Sequence, residues 1–242
     1  MSADSSTRFS DRVADYVKYR PTYPDAAIDA IIATCSPKTI ADIGSGTGIS
    51  SRPFVARGIE VIGVEPNAEM RAAADGFKTV DGTAEKTGLP DASVDVALAA
   101  QAFHWFDSDA ARAEIRRITK QPHWVVLMWN ERLVDTPFLR DYEAALYVHG
   151  IDYDKVDHRN VDRDRLVAFF RAPFDTIVFK NTQRFDRDGL VGRALSSSYV
   201  PQKGHAKHEG MMQALDRIFS EHAVDGFVDF RYLTFVHVGQ LV

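Results

Sequence analysis

The 242-residue chain contains a single cysteine, Cys35. That scarcity excludes an intrachain disulfide and any zinc or iron–sulfur site built from cysteines, and it fits a reducing compartment. Long apolar runs are also missing. The longest, Trp124–Trp129, has six residues, whereas a membrane-spanning helix needs about 18 or more. Basic charge is not in excess: 29 Lys and Arg face 34 Asp and Glu, for a net charge of −5. Such a balance offers no bulk attraction to a phosphate backbone, so neither nucleic acid nor membrane is expected as a partner. Met1–Ser10 has neither the basic nor the apolar region of a secretory signal, and a cytoplasmic location is expected. Fixed-period repeats and low-complexity segments are absent, which removes solenoids and propellers.

What is present is an ordinary globular composition, 45% hydrophobic and 26% charged, in a chain long enough to bury about three-quarters of its unfolded surface. A single domain, 1–242, is expected. Short apolar runs at Thr39–Ile43, Glu60–Val64, Phe77–Val80, Val94–Ala99 and His123–Trp129 read as strands alternating with helices. That rhythm predicts parallel β-α-β units in an α/β fold. After the N-cap candidate Asp107, Ala111, Ile115 and Ile118 follow helical spacing. Thr176–Thr182 and Gly226–Val238 are two further strand candidates, with a helix near Met211–Phe219 between them. The region 1–36 reads as two helices, around Ala14 and Val17 and around Ala27–Ile32, separated by Tyr19–Pro24. The region 37–130 is the core, 150–172 (chiefly the charged stretch Asp152–Phe170) a cap insert, and 173–242 the completion of the sheet.

The first strand runs into Asp42-Ile-Gly44-Ser-Gly46-Thr-Gly48. Glycines at a strand-to-helix turn let backbone approach a ligand, and the helix start offers free N–H groups. The dinucleotide fingerprint Gly-x-Gly-x-x-Gly fails in both registers, at Ile49 or at Ser51. A nicotinamide cofactor is thereby disfavoured. No Gly-Lys-Ser/Thr follows, which removes a P-loop. Glu65 closes the second strand 21 positions after Gly44; a carboxylate at such a place accepts hydrogen bonds from ribose hydroxyls.

These segments, with Val61-Ile-Gly-Val-Glu65-Pro66, Asp81-Gly-Thr-Ala-Glu85 and Val94-Asp-Val96 leading into Gln101-Ala-Phe-His-Trp105, resemble in order the class I S-adenosylmethionine-dependent methyltransferases. Tyr19-Arg-Pro21 and Tyr23-Pro24, together with Gln101–Phe106, resemble the small-molecule branch compared with trans-aconitate methyltransferases. The resemblance covers about residues 8–130. It implies a Rossmann-like, mostly parallel seven-stranded sheet with helices on both faces, closed by an antiparallel C-terminal hairpin. The implied cofactor is S-adenosyl-L-methionine, and the implied reaction is in-line methyl transfer to a small-molecule carboxylate, hydroxyl or amine. The alternative is a non-catalytic protein that senses the cofactor.

The resemblance also implies roles. Gly44, Ser45 and Gly46 approach the methionine part, with Asp42 supporting the loop or reaching the ammonium through water. Glu65, aimed by Pro66, holds the ribose. Thr83, Ala84 and Glu85 face adenine, Thr83 standing where relatives often carry Asp. Tyr19 and Arg20 belong to a lid, Arg20 binding the methionine carboxylate, and Gln101 lies beside the methyl donor. His104 is the candidate base. Arg159, Arg163 and Arg165 are candidates to clamp an acidic acceptor, while Trp105 and Phe106 are expected to pack in the core. Pro53 should kink the helix after the glycine loop. The acidic cluster Asp152, Asp154, Asp157, His158, Asp162 and Asp164 lacks the Gly and Glu of a calcium loop. His205-x-x-His208 lacks further zinc ligands, so no metal is expected.

Overall fold

The computed structural model describes residues 17–155 and 163–242. The predicted helix around Ala14, together with Asp157, His158, Arg159 and Asp162, lies outside the described residues. The elements in chain order are α1 (Asp25–Cys35), β1 (Thr39–Ile43), α2 (Arg52–Val55), β2 (Glu60–Val64), α3 (Ala68–Ala73), β3 (Lys78–Val80) and β4 (Val94–Ala100). There follow a 3-10 turn at Phe103–Trp105, α4 (Ser108–Ile118), β5 (Thr119–Arg132), α5 (Pro137–His149), a 3-10 turn at Tyr153–Lys155, α6 (Arg163–Phe170), β6 (Phe174–Phe185), α7 (Arg187–Leu195), α8 (His208–His222) and β7 (Val228–Gln240).

All seven strands form one sheet in the order β3-β2-β1-β4-β5-β7-β6. β1 to β5 pair in parallel, and β7 is antiparallel to both β5 and β6. The expected closing pair is therefore present, but β6 and β7 are joined through α7 and α8 instead of a tight turn. The central strands are apolar at successive positions because both faces are covered. Ala97 and Ala99 of β4 and Val125, Leu127 and Trp129 of β5 pack in one cluster. Their alternates Val96, Leu98, Val126 and Met128 pack in another on the opposite face, against Ala27, Ile28 and Ile31 of α1. A third cluster joins α5, α7 and α8 to the start of β7 through Leu139, Tyr142, Leu190, Leu215 and Phe230.

One expectation is revised. Pro53 does not kink a longer helix. It occupies the first turn of the four-residue α2, where a missing N–H removes no intrahelical bond. Of the expected cap insert, α6 buries Leu166, Phe169 and Phe170 in the core against Ala111 and Ile115 of α4. The helices α5 and α7, which the periodicity did not reveal, are each started by a side-chain cap, Thr136 to the Leu139 N–H and Asp186 to the Gly189 N–H.

Phe103, fully buried, meets Phe106, Phe169 and Trp129 edge-to-face and so anchors the turn that follows β4. Phe103→Ala should lower unfolding free energy by about 3–5 kcal/mol, measured as a fall in the urea midpoint at unchanged slope.

Candidate active site

The strand order reverses between β1 and β4, where an open parallel sheet leaves a crevice at its carboxyl ends. A cavity of about 950 Å3 opens there. Gly44, Ser45, Gly46, Glu65, Pro66, Thr83, Ala84, Glu85, Gln101 and His104 all line it, as does Arg20. The loop after β1 is pinned from β2: the Gly44 N–H donates to the Val64 carbonyl at 2.8 Å. Gly44 has φ +72°, and a Cβ there would lie 2.6 Å from that of Ala102. Gly46 has φ +55°, and a Cβ on it would meet nothing within 4 Å.

Glu65 is 8% exposed. One carboxylate oxygen accepts from the Gly46 N–H and the other from the Asn67 N–H, both at 2.9 Å. Burial raises its pKa despite these bonds. Asn67 then caps α3 by accepting from the Met70 N–H at 2.9 Å. One carboxylate thus ties the β1 loop to the β2 loop.

Asp42 lies behind this loop and is not on the cavity wall. It is fully buried, with one oxygen accepting from the Ser50 and Ser51 hydroxyls at 2.6 Å each. Its role is to hold the start of α2 under the loop. Its other oxygen and the Ser45 hydroxyl are buried without a hydrogen-bond partner. Burial pushes the Asp42 carboxyl up to about 6, outweighing the two serines.

Tyr19 also falls outside the wall. Its ring rests on Gly192, where a Cβ would come within 2.1 Å, and packs edge-to-face with Phe185. The lid segment is laced to the sheet: Asn130 and Asn181 side chains donate to the Thr22 carbonyl, Gln183 to the Tyr19 carbonyl, and Arg20 to the Ser196 carbonyl. Gln101 takes a left-handed backbone, φ +58°. Its N–H donates to the Met128 carbonyl and its side-chain amide to the Asn130 carbonyl, each at 2.9 Å. A non-glycine residue in that region costs on the order of 1–3 kcal/mol, here held by β5. Glu85 accepts from the Asp107 N–H at 2.9 Å, linking the loop after β3 to the start of α4. The His104 ring lies on Trp105, centroids 4.6 Å apart. Trp105, expected in the core, is 39% exposed at the cavity.

Of the arginine clamp, Arg163 is exposed and off the wall, and Arg165 lines the cavity while donating to the carbonyls of Phe103 and Phe106 at 3.1 Å. The arginines that sequence reasoning missed are Arg132 and Arg193, on the same wall as Tyr153, Tyr199 and Tyr232. The signal for Arg193 was its place on the Gly189–Leu190–Arg193–Ala194 face of α7, which is otherwise small or apolar.

The raised Asp42 pKa sets a pH dependence. The native state holds its proton more tightly than the unfolded chain, so stability falls as pH rises from about 4 to about 6. A shift of this size corresponds to about 3 kcal/mol. Asp42→Asn should escape that loss, its stability relative to the wild type improving across this window in paired denaturant titrations at pH 4 and 7.

Residues 41–127 match the family model described as a methyltransferase domain. An uncharacterized methyltransferase of Mycobacterium tuberculosis is 38% identical over 178 residues, spanning 72% of this chain and 68% of the relative. An uncharacterized methyltransferase-like protein of Schizosaccharomyces pombe is 35% identical over 57% of each chain. Among solved structures, a provisionally assigned type II methyltransferase from Anaeromyxobacter dehalogenans superposes with a TM-score of 0.62 at 25% identity, over 92% of this chain and 98% of that one. A phosphoethanolamine N-methyltransferase of Haemonchus contortus, solved with S-adenosylhomocysteine, shares the fold at a TM-score of 0.56 and 14% identity, over 99% of this chain and 59% of that one. A carboxylate-braced glycine loop at the switch point of a seven-stranded sheet, in a chain with a relative this similar, is the arrangement of a methyl-donor site, and the chain belongs to the class I S-adenosylmethionine-dependent methyltransferases.

Proposed function

We propose that this enzyme methylates a small molecule that binds in the same cavity as the methyl donor, and that residues 1–242 act as one methyltransferase domain. The observation that carries the reading is the continuity of the cavity. Its 950 Å3 extends from the glycine loop to a second wall of Trp129, Tyr147, Tyr153 and Tyr199, and a volume at the top of the ordinary ligand-pocket range of about 300–1,000 Å3 leaves room for donor and acceptor together. Arg20, Pro21 and Tyr23, with Gln101, His104, Trp105 and Phe106, all reach this cavity. These are the segments that resemble the trans-aconitate methyltransferases, which supports placing the chain in that small-molecule branch.

The residues present fit the donor. The Glu65 oxygens each take one backbone N–H and keep acceptor capacity for ribose hydroxyls. The buried Ser45 hydroxyl lacks a partner, and Gly46 leaves open the space a side chain would take. Thr83, Ala84 and Glu85 would face the adenine, Arg20 the methionine carboxylate, and Gln101 the methyl end. When bound, S-adenosylmethionine supplies a sulfonium-activated methyl group for in-line displacement by a carboxylate, hydroxyl or amine. The chain's part is positioning, which contributes on the order of 7–11 kcal/mol when two reactants are held in attack geometry. His104, exposed on the wall beside Trp105, is placed to take a proton from a hydroxyl or amine acceptor.

The test is calorimetric titration with S-adenosylmethionine and S-adenosylhomocysteine, followed by transfer of labelled methyl to a panel of small acids, phenols and amines. Glu65→Ala should weaken both cofactors on the order of 100-fold, because each hydrogen bond to a charged acceptor is worth roughly 1.5–3 kcal/mol. Tight binding with no transfer to any small molecule would contradict the reading and leave a cofactor-sensing protein.

A further inference from the structure

Arg193 is 5% exposed and lines the cavity. Its Nε donates to the Tyr232 hydroxyl at 3.2 Å and one terminal nitrogen to the Ser197 hydroxyl at 3.0 Å. Its guanidinium also lies over the Phe230 ring, 5.8 Å from the centroid. Every one of these partners is neutral. Among the described residues no carboxylate pairs with it, whereas Arg132 on the same wall pairs with Glu143 and bonds the Tyr153 hydroxyl at 3.0 Å. Arg132 nevertheless keeps one terminal nitrogen buried and without a partner. A guanidinium stays charged at any physiological pH, and a buried charge without a counter-ion is costly. Among the described residues, therefore, no carboxylate neutralises the charge that Arg193 places on this wall.

Tyr199 reports the same potential from a third position. Burial alone would raise its phenol, yet Arg193, Arg132 and Arg20, together with a Ser197 hydrogen bond, outweigh burial and hold it below its ordinary range. The acidic side chains that share this wall, Glu131 and Asp154, make no ion pair with Arg193 among the described residues.

Strand register separates this charge from the methyl-donor end. Ala100, the last residue of β4, pairs with Met128 of β5, and Gln101 follows it. Arg132 stands four residues further along β5, opposite Tyr232, and Tyr232 is the residue that holds Arg193. At about 3.3 Å per residue, four residues span about 13 Å. The cationic end and the methyl end are thus on the order of 10 Å apart along the cavity.

Resting on the small-molecule reading above, we propose that the acceptor is an organic oxyanion whose carboxylate or phosphate docks on Arg193 and Arg132, and that a different group of the same molecule, nearer Gln101 and His104, receives the methyl. Arg193 supplies the N–H groups of the terminal nitrogen that its tyrosine and serine bonds leave over, and Arg132 supplies its remaining N–H. The docked anion serves as a handle that sets which end of the acceptor reaches the donor.

Protein loaded with S-adenosylhomocysteine is titrated with 4-hydroxycinnamate, its methyl ester, phenyl phosphate and inorganic phosphate. At least one organic anion should bind saturably, with 4-hydroxycinnamate at least tenfold tighter than its ester if the carboxylate is the handle, and phenyl phosphate the tighter anion if phosphate is. Arg193→Met should abolish anion binding and Arg193→Lys should keep part of it. S-adenosylhomocysteine affinity in each variant verifies that the fold and donor site survive. An ester that binds like its acid together with a phosphate that does not bind, anion binding untouched in Arg193→Met, or no saturable anion at all would overturn the proposal.

A second arm tests which group is methylated, using labelled donor and a small-molecule extract of cells. Label should appear in products that anion exchange still retains. Label in neutral esters or in cationic products, which anion exchange does not retain, would overturn the proposal, whereas no transfer at all would count against the small-molecule reading itself and leave the anion site to be judged by the titrations.

Discussion

The Glu65 carboxylate is the joint on which the cofactor end of the molecule depends. It is buried at the end of β2, and its two oxygens are satisfied by N–H groups from two different loops, Gly46 after β1 and Asn67 before α3. Backbone N–H groups are strong obligatory donors, and a buried carboxylate must be hydrogen-bonded to be tolerated. The two needs meet in one geometry, which fixes the glycine loop relative to the second strand. Asp42 repeats the device one layer down, fixing the start of α2 through Ser50 and Ser51. This wall of the cavity is therefore braced by two carboxylates, Glu65 on the cavity lining and Asp42 behind it.

Sheet polarity decides where that wall can stand. β1, β2, β4 and β5 are covered on both faces, so their ends and not their faces are open to ligands. β4 stops at Ala100 while β5 continues to Arg132, and that unequal length makes the second wall. Trp129, Asn130 and Arg132 then project beyond the last paired position of β4. The segment from Tyr19 to Tyr23 closes the side, fastened by Asn130, Asn181 and Gln183 to the strands it covers. A protein with short parallel strands alone would have the crevice at the switch point without the second wall.

Much of this was legible in the sequence, for physical reasons. Strands buried on both faces read as continuous apolar runs, and β1, β2 and β4 sit within a residue of their expected bounds. Glycines needed at positive φ and a strand-end Glu followed by Pro leave a local signature, so most of the residues that line this end of the cavity could be named in advance, Asp42 and Tyr19 excepted. The misses have equally physical causes. The edge strand β6, fed by neighbours on one side only, extends beyond Thr176–Thr182 because its alternation of half-buried and exposed positions continues through the polar Gln183 to Phe185. Pro53 looked like an interior kink because nothing local announces that the helix begins at Arg52. α7 was invisible because its buried face carries Gly189, Gly192 and Arg193, which no periodicity rule scores as apolar. Arg193 meets its partners Tyr232 and Phe230 only through the fold, 37 or more residues along the chain, so its burial is a tertiary fact.

The central claim is that the Glu65 joint and the glycine loop form a ready-made donor site that needs no rearrangement. A crystal structure of the protein with S-adenosylhomocysteine tests it most directly. The account predicts the ribose hydroxyls on Glu65, the Gly46 and Asn67 N–H groups still donating to its carboxylate, and the β1 loop in place. A ligand seated elsewhere, or a Glu65 side chain turned away with the loop rebuilt around it, would contradict the account.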